Sequence, residues 1–306
     1  MTAGPGSEPA IAISSLVKDF GRVRALDGLS LSVDRGEIVG FLGPNGAGKT
    51  TTLRILFDLL RPTAGTASVL GHDCQADSVR ARRMMGYLPG DLRLYEGLTG
   101  QETIDYFSRL RGQAVDAEFL HGLVSRLALD TTRRVSAYSK GNRQKLGLVL
   151  ALMHQPPVLV LDEPTSGLDP LVQEAVAQLL FEMAGRGHTV FFSSHVLSEA
   201  ERMCHRVAFL RQGRLIAFED VAAIKGRSLH IIEVTFAHPV PPDAFQVPGV
   251  REVERDGNMV HLEVREHLDE ALKAIARHPV IDLRTEQPSL EEVFLAFYEG
   301  RQEAAQ

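Results

Sequence analysis

Apolar positions along the chain fall into two rhythms. Short apolar runs bounded by turn residues read as strands at Ile11–Val17, Leu29–Val33 and Glu37–Leu42, the first two closed by Asp19 and Gly21 and by Asp34-Arg35-Gly36. Helix is expected from Lys49 to about Leu60, where Arg61-Pro62 and Gly65 stop it. Helical periodicity dominates Thr99–Leu129. There Thr99-Gly100-Gln101-Glu102 forms a capping-box pattern, opening a helix that should turn Ile104, Phe107 and Leu110 inward. A further helix after Ser139 carries Leu146, Leu148, Val149, Leu152 and Met153, and Val158–Leu161 reads as a strand buried on both faces. Leu171–Met183 (helix), Thr189–Ser193 (strand), Leu197–Met203 (helix) and Val207–Leu210 (strand) continue the alternation. Strands alternating with helices predict an α/β fold with a doubly wound sheet, into which the Thr99–Leu129 stretch is a helical insertion.

The rhythm changes near Leu229. A strand over Leu229–Phe236 is followed by a proline-rich stretch (Pro239, Pro241, Pro242, Pro248), a hairpin closed by Asp256-Gly257, a helix over Leu268–Arg277 and a strand over Val280–Arg284. With a degenerate first helix this is a split βαβ, ferredoxin-like unit. A last helix should start at the second capping box, Ser289-Leu290-Glu291-Glu292. Charge supports a division at the same place. Residues 1–220 carry 24 Lys+Arg and 24 Asp+Glu, whereas residues 221–306 carry 9 and 15 and hold the whole net charge of −6.

Composition narrows the class further. With 44% hydrophobic and 24% charged residues over 306 positions, the chain is globular and long enough for one large domain and one small one. The acidic balance and the lack of a basic tail argue against a nucleic-acid partner. Cys74 and Cys204 stand alone, in no CxxC or CxxH spacing, so neither a disulfide framework nor a zinc site is expected. The start MTAGPGSEPA has no positive leader, and the most apolar run, Leu146–Met153, is far short of the ~20 residues a spanning helix needs. A cytoplasmic protein is expected, with any membrane role borrowed from a partner.

Candidate chemistry begins at Gly43-Pro44-Asn45-Gly46-Ala47-Gly48-Lys49-Thr50, which matches G-x-x-x-x-G-K-[ST] between an expected strand and an expected helix. Glycines let the backbone curl so that successive N–H groups and the helix start face phosphates. Lys49 would reach the β/γ oxygens, Thr50 would ligate Mg²⁺, and Thr51 continues the nucleotide-binding segment. This loop alone leaves kinases, GTPases and transport ATPases open. Val158-Leu159-Val160-Leu161-Asp162-Glu163 then ends an apolar strand in two carboxylates, Asp162 on the metal side and Glu163 where a water could lie in line with the γ-phosphate.

Tyr138-Ser139-Lys140-Gly141-Asn142-Arg143-Gln144, Asp162-Glu163-Pro164-Thr165-Ser166-Gly167-Leu168-Asp169-Pro170 and Ser193-Ser194-His195 together resemble the ATP-binding cassette of ABC transporters. The resemblance implies a P-loop cassette over 1–220, with a helical subdomain at about 88–155, and an accessory α+β domain over 221–306. It implies ATP and Mg²⁺ as cofactors. Ser139, Lys140, Gly141 and Asn142 would be the signature that caps the ATP of an opposite subunit. Asp169 would be the D-loop residue crossing the dimer interface, His195 the switch histidine on the γ-phosphate, and Phe20 the aromatic stacked on adenine. Taken alone, Ser139 reads as a helix cap, His195 as a polar strand end and Phe20 as a core aromatic.

Two departures stand out. The family usually has Gln where this chain has Gly90, and the signature has Lys140 and Asn142 where Gly and Gln are commonest. The tail Pro288–Leu295, with Gly86-Tyr87-Leu88-Pro89 and Leu94–Thr99, is similar to ATPase subunits of bacterial ABC-2-type exporters. That likeness implies a separately encoded membrane permease, a second ATPase subunit and a peripheral place on the inner face of the plasma membrane. A soluble ABC ATPase acting on ribosomes or DNA, and a regulatory ATP binder with little turnover, remain open as alternatives. Against the first stand the single cassette and the lack of long coiled coils or zinc-spaced cysteines.

Overall fold

The computed structural model describes residues 8–226, 230–241, 244–264 and 267–286. The expected Ser289 helix lies outside them. The chain divides into two compact units, one ending at Phe218 and the other starting at Glu219.

In the first unit, β1 (Ile11–Phe20) and β2 (Val23–Val33) form an antiparallel hairpin through Gly21-Arg22, longer than the apolar pattern indicates. The extension Lys18–Phe20 is half-exposed to exposed, and Lys18-Asp19 breaks the apolar pattern there. With β4 (Ala64–Val69) and β5 (His72–Asp73), these strands make a four-stranded sheet in the order β2-β1-β4-β5. The second sheet has the order β10-β9-β3-β8-β7-β6. Its strands are β3 (Ile38–Leu42), β6 (Met85–Leu88), β7 (Val158–Asp162), β8 (Thr189–Ser194), β9 (Arg206–Arg211) and β10 (Arg214–Asp220). From β9 to β6 every pairing is parallel, with Leu42 opposite Ser194, Asp162 opposite Ser193 and Leu88 opposite Leu161. All residues of β3, β7 and β8 are buried. Near-continuous Val, Ile, Leu and Phe is what a strand covered on both faces requires.

Helices flank this sheet: α1 (Lys49–Leu56), α2 (Ser78–Arg83), α3 (Gly100–Arg111), α4 (Ala117–Arg126), α5 (Lys140–Leu152), α6 (Pro170–Gly185) and α7 (Leu197–Met203). Helix α1 ends four residues before the expected Leu60, because Asp58 takes a left-handed φ of 53° and the N–H groups of Leu59 and Leu60 fold back onto Arg54 O. The capping box at Thr99 forms as expected, with Thr99 Oγ1 accepting from Glu102 N at 3.1 Å and Glu102 accepting from Thr99 N at 2.7 Å. Ile104 is buried and Phe107 half-buried, but Leu110 is 69% exposed. It sits a third of a turn round the helix from Ile104 and lines a cavity of about 600 Å³ with Val79, Arg82, Arg83 and Arg111.

The second unit starts with α8 (Val221–Gly226) and holds β11 (His230–Phe236), β12 (Val250–Asp256), β13 (Met259–Val264), α9 (Leu268–Ile275) and β14 (Val280–Glu286). Its antiparallel sheet runs β12-β13-β11-β14, the strand order of the split βαβ unit, and no helix lies between β11 and β12 among the described residues. Ile232, Val234 and Phe236 alternate with outward residues and pack with Val260, Leu262, Ala271 and Ile275.

Candidate active site

Four strands of the parallel sheet deliver their carboxyl ends to one edge, where open α/β sheets bind ligands. β3 runs into the Gly43–Gly48 loop, β6 into Pro89-Gly90, β7 ends at Asp162 and β8 leads to His195. Gly48 caps α1 with φ 108°, and a Cβ there would meet Ala25 O at 2.6 Å and Leu26 Cδ2 at 2.7 Å, so only glycine closes the turn. The residues Asn45 to Thr51, with Ala25 and Glu163, line a cavity of about 290 Å³. Gly43 and Pro44 lie beneath it, and their carbonyls accept from Lys49 Nζ at 2.5 and 3.2 Å. Burial lowers the pKa of this ammonium, and the nearby Glu163 and Asp162 partly offset the effect.

Asp162 is buried and doubly held. Thr50 Oγ1 donates to its Oδ2 at 2.9 Å, and Ser193 Oγ donates to its Oδ1. Glu163 adopts φ 50°, and its N–H donates to Ser193 O and Oγ, both at 3.1 Å. Its Oε1 lies 2.8 Å from His195 Nδ1. An ionised carboxylate only accepts, so Nδ1 carries the proton in that pair. Thr50, Asp162, Glu163 and His195 are therefore linked through Ser193, and Lys49 lines the same cavity as Thr50 and Glu163.

The other expected residues lie apart from that cavity. Ser139 is exposed and caps α5, accepting from Asn142 N at 3.2 Å, while Lys140 Nζ reaches Ser166 Oγ at 3.3 Å. Asp169 is exposed and caps α6 by accepting from Val172 N at 3.1 Å. Phe20 is 47% exposed, and Lys18 Nζ sits 5.0 Å from its ring centroid. Gly90 packs directly on the metal-side carboxylate: a Cβ there would lie 2.9 Å from Asp162 Oδ2. Asp91 turns away to Arg93, at 3.2 Å.

Three partners went unassigned in the sequence. Ser193 precedes the switch histidine and holds both Asp162 and Glu163. Gln144 follows the signature and donates to the carbonyls of Glu163 and Pro164. Glu199, one turn into α7, accepts from Thr165 Oγ1 at 2.7 Å and Ser194 Oγ at 3.2 Å. Polar residues flanking a motif on an otherwise apolar helix or strand were the available signal. Among the described residues, no group of three or more His, Cys, Asp or Glu residues is arranged to hold a metal, and no helix is long and apolar enough to cross a membrane.

A phosphate loop under a parallel sheet edge, a strand ending in two carboxylates and a histidine on the second of them define a P-loop ATPase of the ATP-binding cassette class. The comparisons carry this to a family. The ABC transporter family profile matches residues 26–166, and the profile for the C-terminal domain of DrrA1-3-like ATP-binding proteins matches residues 222–298. The daunorubicin/doxorubicin resistance ATP-binding protein DrrA of Streptomyces peucetius is 34% identical over 323 residues, covering 92% of this chain and 97% of that protein. A solved ATP-binding subunit of an ABC transporter superposes with a TM-score of 0.66 at 31% identity, over 71% of this chain and 92% of that one. The dimeric structure of MJ0796, a bacterial ABC transporter cassette, shares the fold at a TM-score of 0.63 and 24% identity, over 69% of this chain and 98% of that one. The chain belongs to the ATP-binding proteins of ABC transporters, in the DrrA-like branch, and is an ATP-binding, ATP-hydrolysing subunit.

Proposed function

We propose that two copies of this chain, or one copy and a related subunit, close head to tail over two ATP molecules and thereby drive a separately encoded permease that works as an exporter. The observation that carries the chemistry is the Glu163–His195 contact beside the phosphate loop. Glu163 takes a proton from the attacking water, and His195 keeps that carboxylate oriented while reaching toward the γ-phosphate. Lys49 exchanges its two loop carbonyls for phosphate oxygens. Phe20 offers an exposed ring for adenine.

Mg²⁺ fits the donor set. Thr50 Oγ1 and Asp162 Oδ2, both hard oxygens of the kind Mg²⁺ takes, converge within 2.9 Å at the sheet edge. When bound there, the ion neutralises charge on the β- and γ-phosphates. Asp162 is aimed by Ser193, and Thr50 is fixed by the first turn of α1.

Ser139, Lys140, Gly141 and Asn142 then cap the partner's nucleotide with the start of α5, and Asp169 stands at the interface. Ser139 and Asp169 are exposed and make only local cap hydrogen bonds, which suits groups whose ligand comes from a second chain. Residues 221–306 form an accessory domain. The export reading rests on the likeness to the DrrA protein over nearly the whole of both chains, second unit included. A peripheral position on the inner membrane face follows from that reading.

Coexpression with a polytopic membrane protein encoded beside this gene, if the locus holds one, tests it. Inside-out vesicles should accumulate doxorubicin on ATP addition, and the permease should stimulate hydrolysis several-fold. Failure of the two proteins to copurify, with hydrolysis unaffected by the membrane protein, overturns the transport reading.

A further inference from the structure

Gln144 is a buried polar residue on a largely apolar helix. It is 8% exposed, and its Nε2 donates to two successive carbonyls, Glu163 O at 2.9 Å and Pro164 O at 3.1 Å. A primary amide has two N–H donors, so both are committed to the segment that carries the base. That segment needs holding. Glu163 has a left-handed φ of 50°, which a residue with a Cβ keeps only when its surroundings over-determine it. Its N–H is gripped by Ser193 of β8, and its carbonyl by Gln144 and by the Ser166 N–H at 3.1 Å. The β8 side is fixed within the buried sheet. The other side is tied to α5.

The start of α5 bears on the same loop at two further points. Lys140 Nζ reaches Ser166 Oγ, and a Cβ on Gly141 would stand 2.7 Å from Gly167 O, so the helix backbone lies directly on the loop. Ser139, Gly141 and Gln144 are therefore one rigid helix start, with Ser139 exposed at its tip and Gln144 holding the base at its root. We propose that Gln144 is a positioning residue: it makes the backbone of Glu163 follow the seat of the Ser139 segment. The carboxylate is aligned for attack only when that segment is docked. Under the head-to-tail reading, on which this second step rests, Ser139 docks on the partner's ATP. Each site then fires its base in response to the nucleotide in the other.

The test uses the full-length protein with Gln144→Met, which keeps the side-chain length and removes both donors, and Gln144→Lys, which restores a donor. ATP affinity is read by titration of a fluorescent ATP analogue, turnover and its Hill coefficient by phosphate release, and folding by melting temperature. Gln144→Met should bind the analogue within twofold of the parent yet turn over about tenfold more slowly, the scale of one misplaced hydrogen-bonded group. Its Hill coefficient should fall toward one, and Gln144→Lys should recover most of both losses. Parental turnover in Gln144→Met overturns the proposal. So does a loss of affinity that accounts for the lost turnover, or a Lys variant no better than Met. If Gln144→Met does not fold, Gln144→Leu replaces it, since it is apolar and has no donor, and the same comparison with Lys decides. ATP-dependent dimerisation of Glu163→Gln with Gln144 intact separates the two readings. If that protein sediments as a monomer, the head-to-tail arrangement fails, while the turnover comparison still tests the link between Gln144 and Glu163.

Discussion

The phosphate-loop end of the cassette and the signature end are built on opposite plans. At the first, Thr50 pairs with Asp162 at 2.9 Å and Glu163 with His195 at 2.8 Å, while Lys49 donates to the carbonyls of Gly43 and Pro44 in its own loop. At the second, Ser139 and Asp169 each cap the helix they begin and reach no further. A network that closes on itself works in a single chain as a binding site. Under the proposed head-to-tail arrangement, a pair of exposed caps is half of one. The contrast suggests that nucleotide binding is a property of the monomer and that hydrolysis is a property of the assembly.

Substitutions can break that division. Glu163→Gln should lower ATP hydrolysis by ~10²–10⁴-fold, the range of general-base catalysis, while leaving nucleotide affinity near that of the parent. Phosphate release and equilibrium titration measure the two sides, and turnover within a few-fold of the parent would remove Glu163 from the role. Lys49→Ala removes a charge-assisted donor worth roughly 1.5–3 kcal/mol, so ATP should bind about ten- to a hundred-fold more weakly. Unchanged affinity in the same titration would mean that the loop's backbone does the binding alone.

Ser139→Ala sharpens the other half. Monomer affinity should be unchanged, hydrolysis should fall about tenfold, and loss of the cap should cost about 1 kcal/mol of stability by denaturant titration. Equal losses of affinity and hydrolysis would place Ser139 in its own chain's site. The smallest effect belongs to Gly90, at the seam between the two regions. Because a Cβ at 90 presses on Asp162 Oδ2, Gly90→Gln should weaken the magnesium dependence of hydrolysis a few-fold rather than repair it. Asp91→Ala should change nothing, since Asp91 is engaged with Arg93. A Gly90→Gln protein with tighter magnesium dependence would show that the loop can retreat.

What could be read in advance follows the same contrast. The phosphate loop, β7 and β8 were legible because their signal is short-range: a fully buried strand is a continuous apolar run, and the loop's glycines sit at fixed offsets. β4 and β6 were not. The first begins with exposed Ala64-Gly65-Thr66, and the second is four residues long with Gly86 inside it. Leu110 was assigned inward as the next step of the i, i+3 pattern through Ile104 and Phe107, although each such step drifts round α3 and leaves it exposed. The hold of Gln144 on Glu163 spans 19 residues of sequence and involves backbone carbonyls, which no side-chain pattern records. Phe20 could be read as either core or platform, and its exposure speaks for a platform.

The left-handed backbone of Glu163 has a consequence for how this protein trades robustness against work. A glutamate held there costs roughly 1–2 kcal/mol that an ordinary loop residue would not. Asparagine tolerates that conformation far better, so Glu163→Asn should melt a few degrees higher than the parent by calorimetry while hydrolysing almost nothing. Selection for stability alone would thus drift toward an inert ATP binder. At this position a relaxed backbone and a carboxylate that can take a proton from water are alternatives.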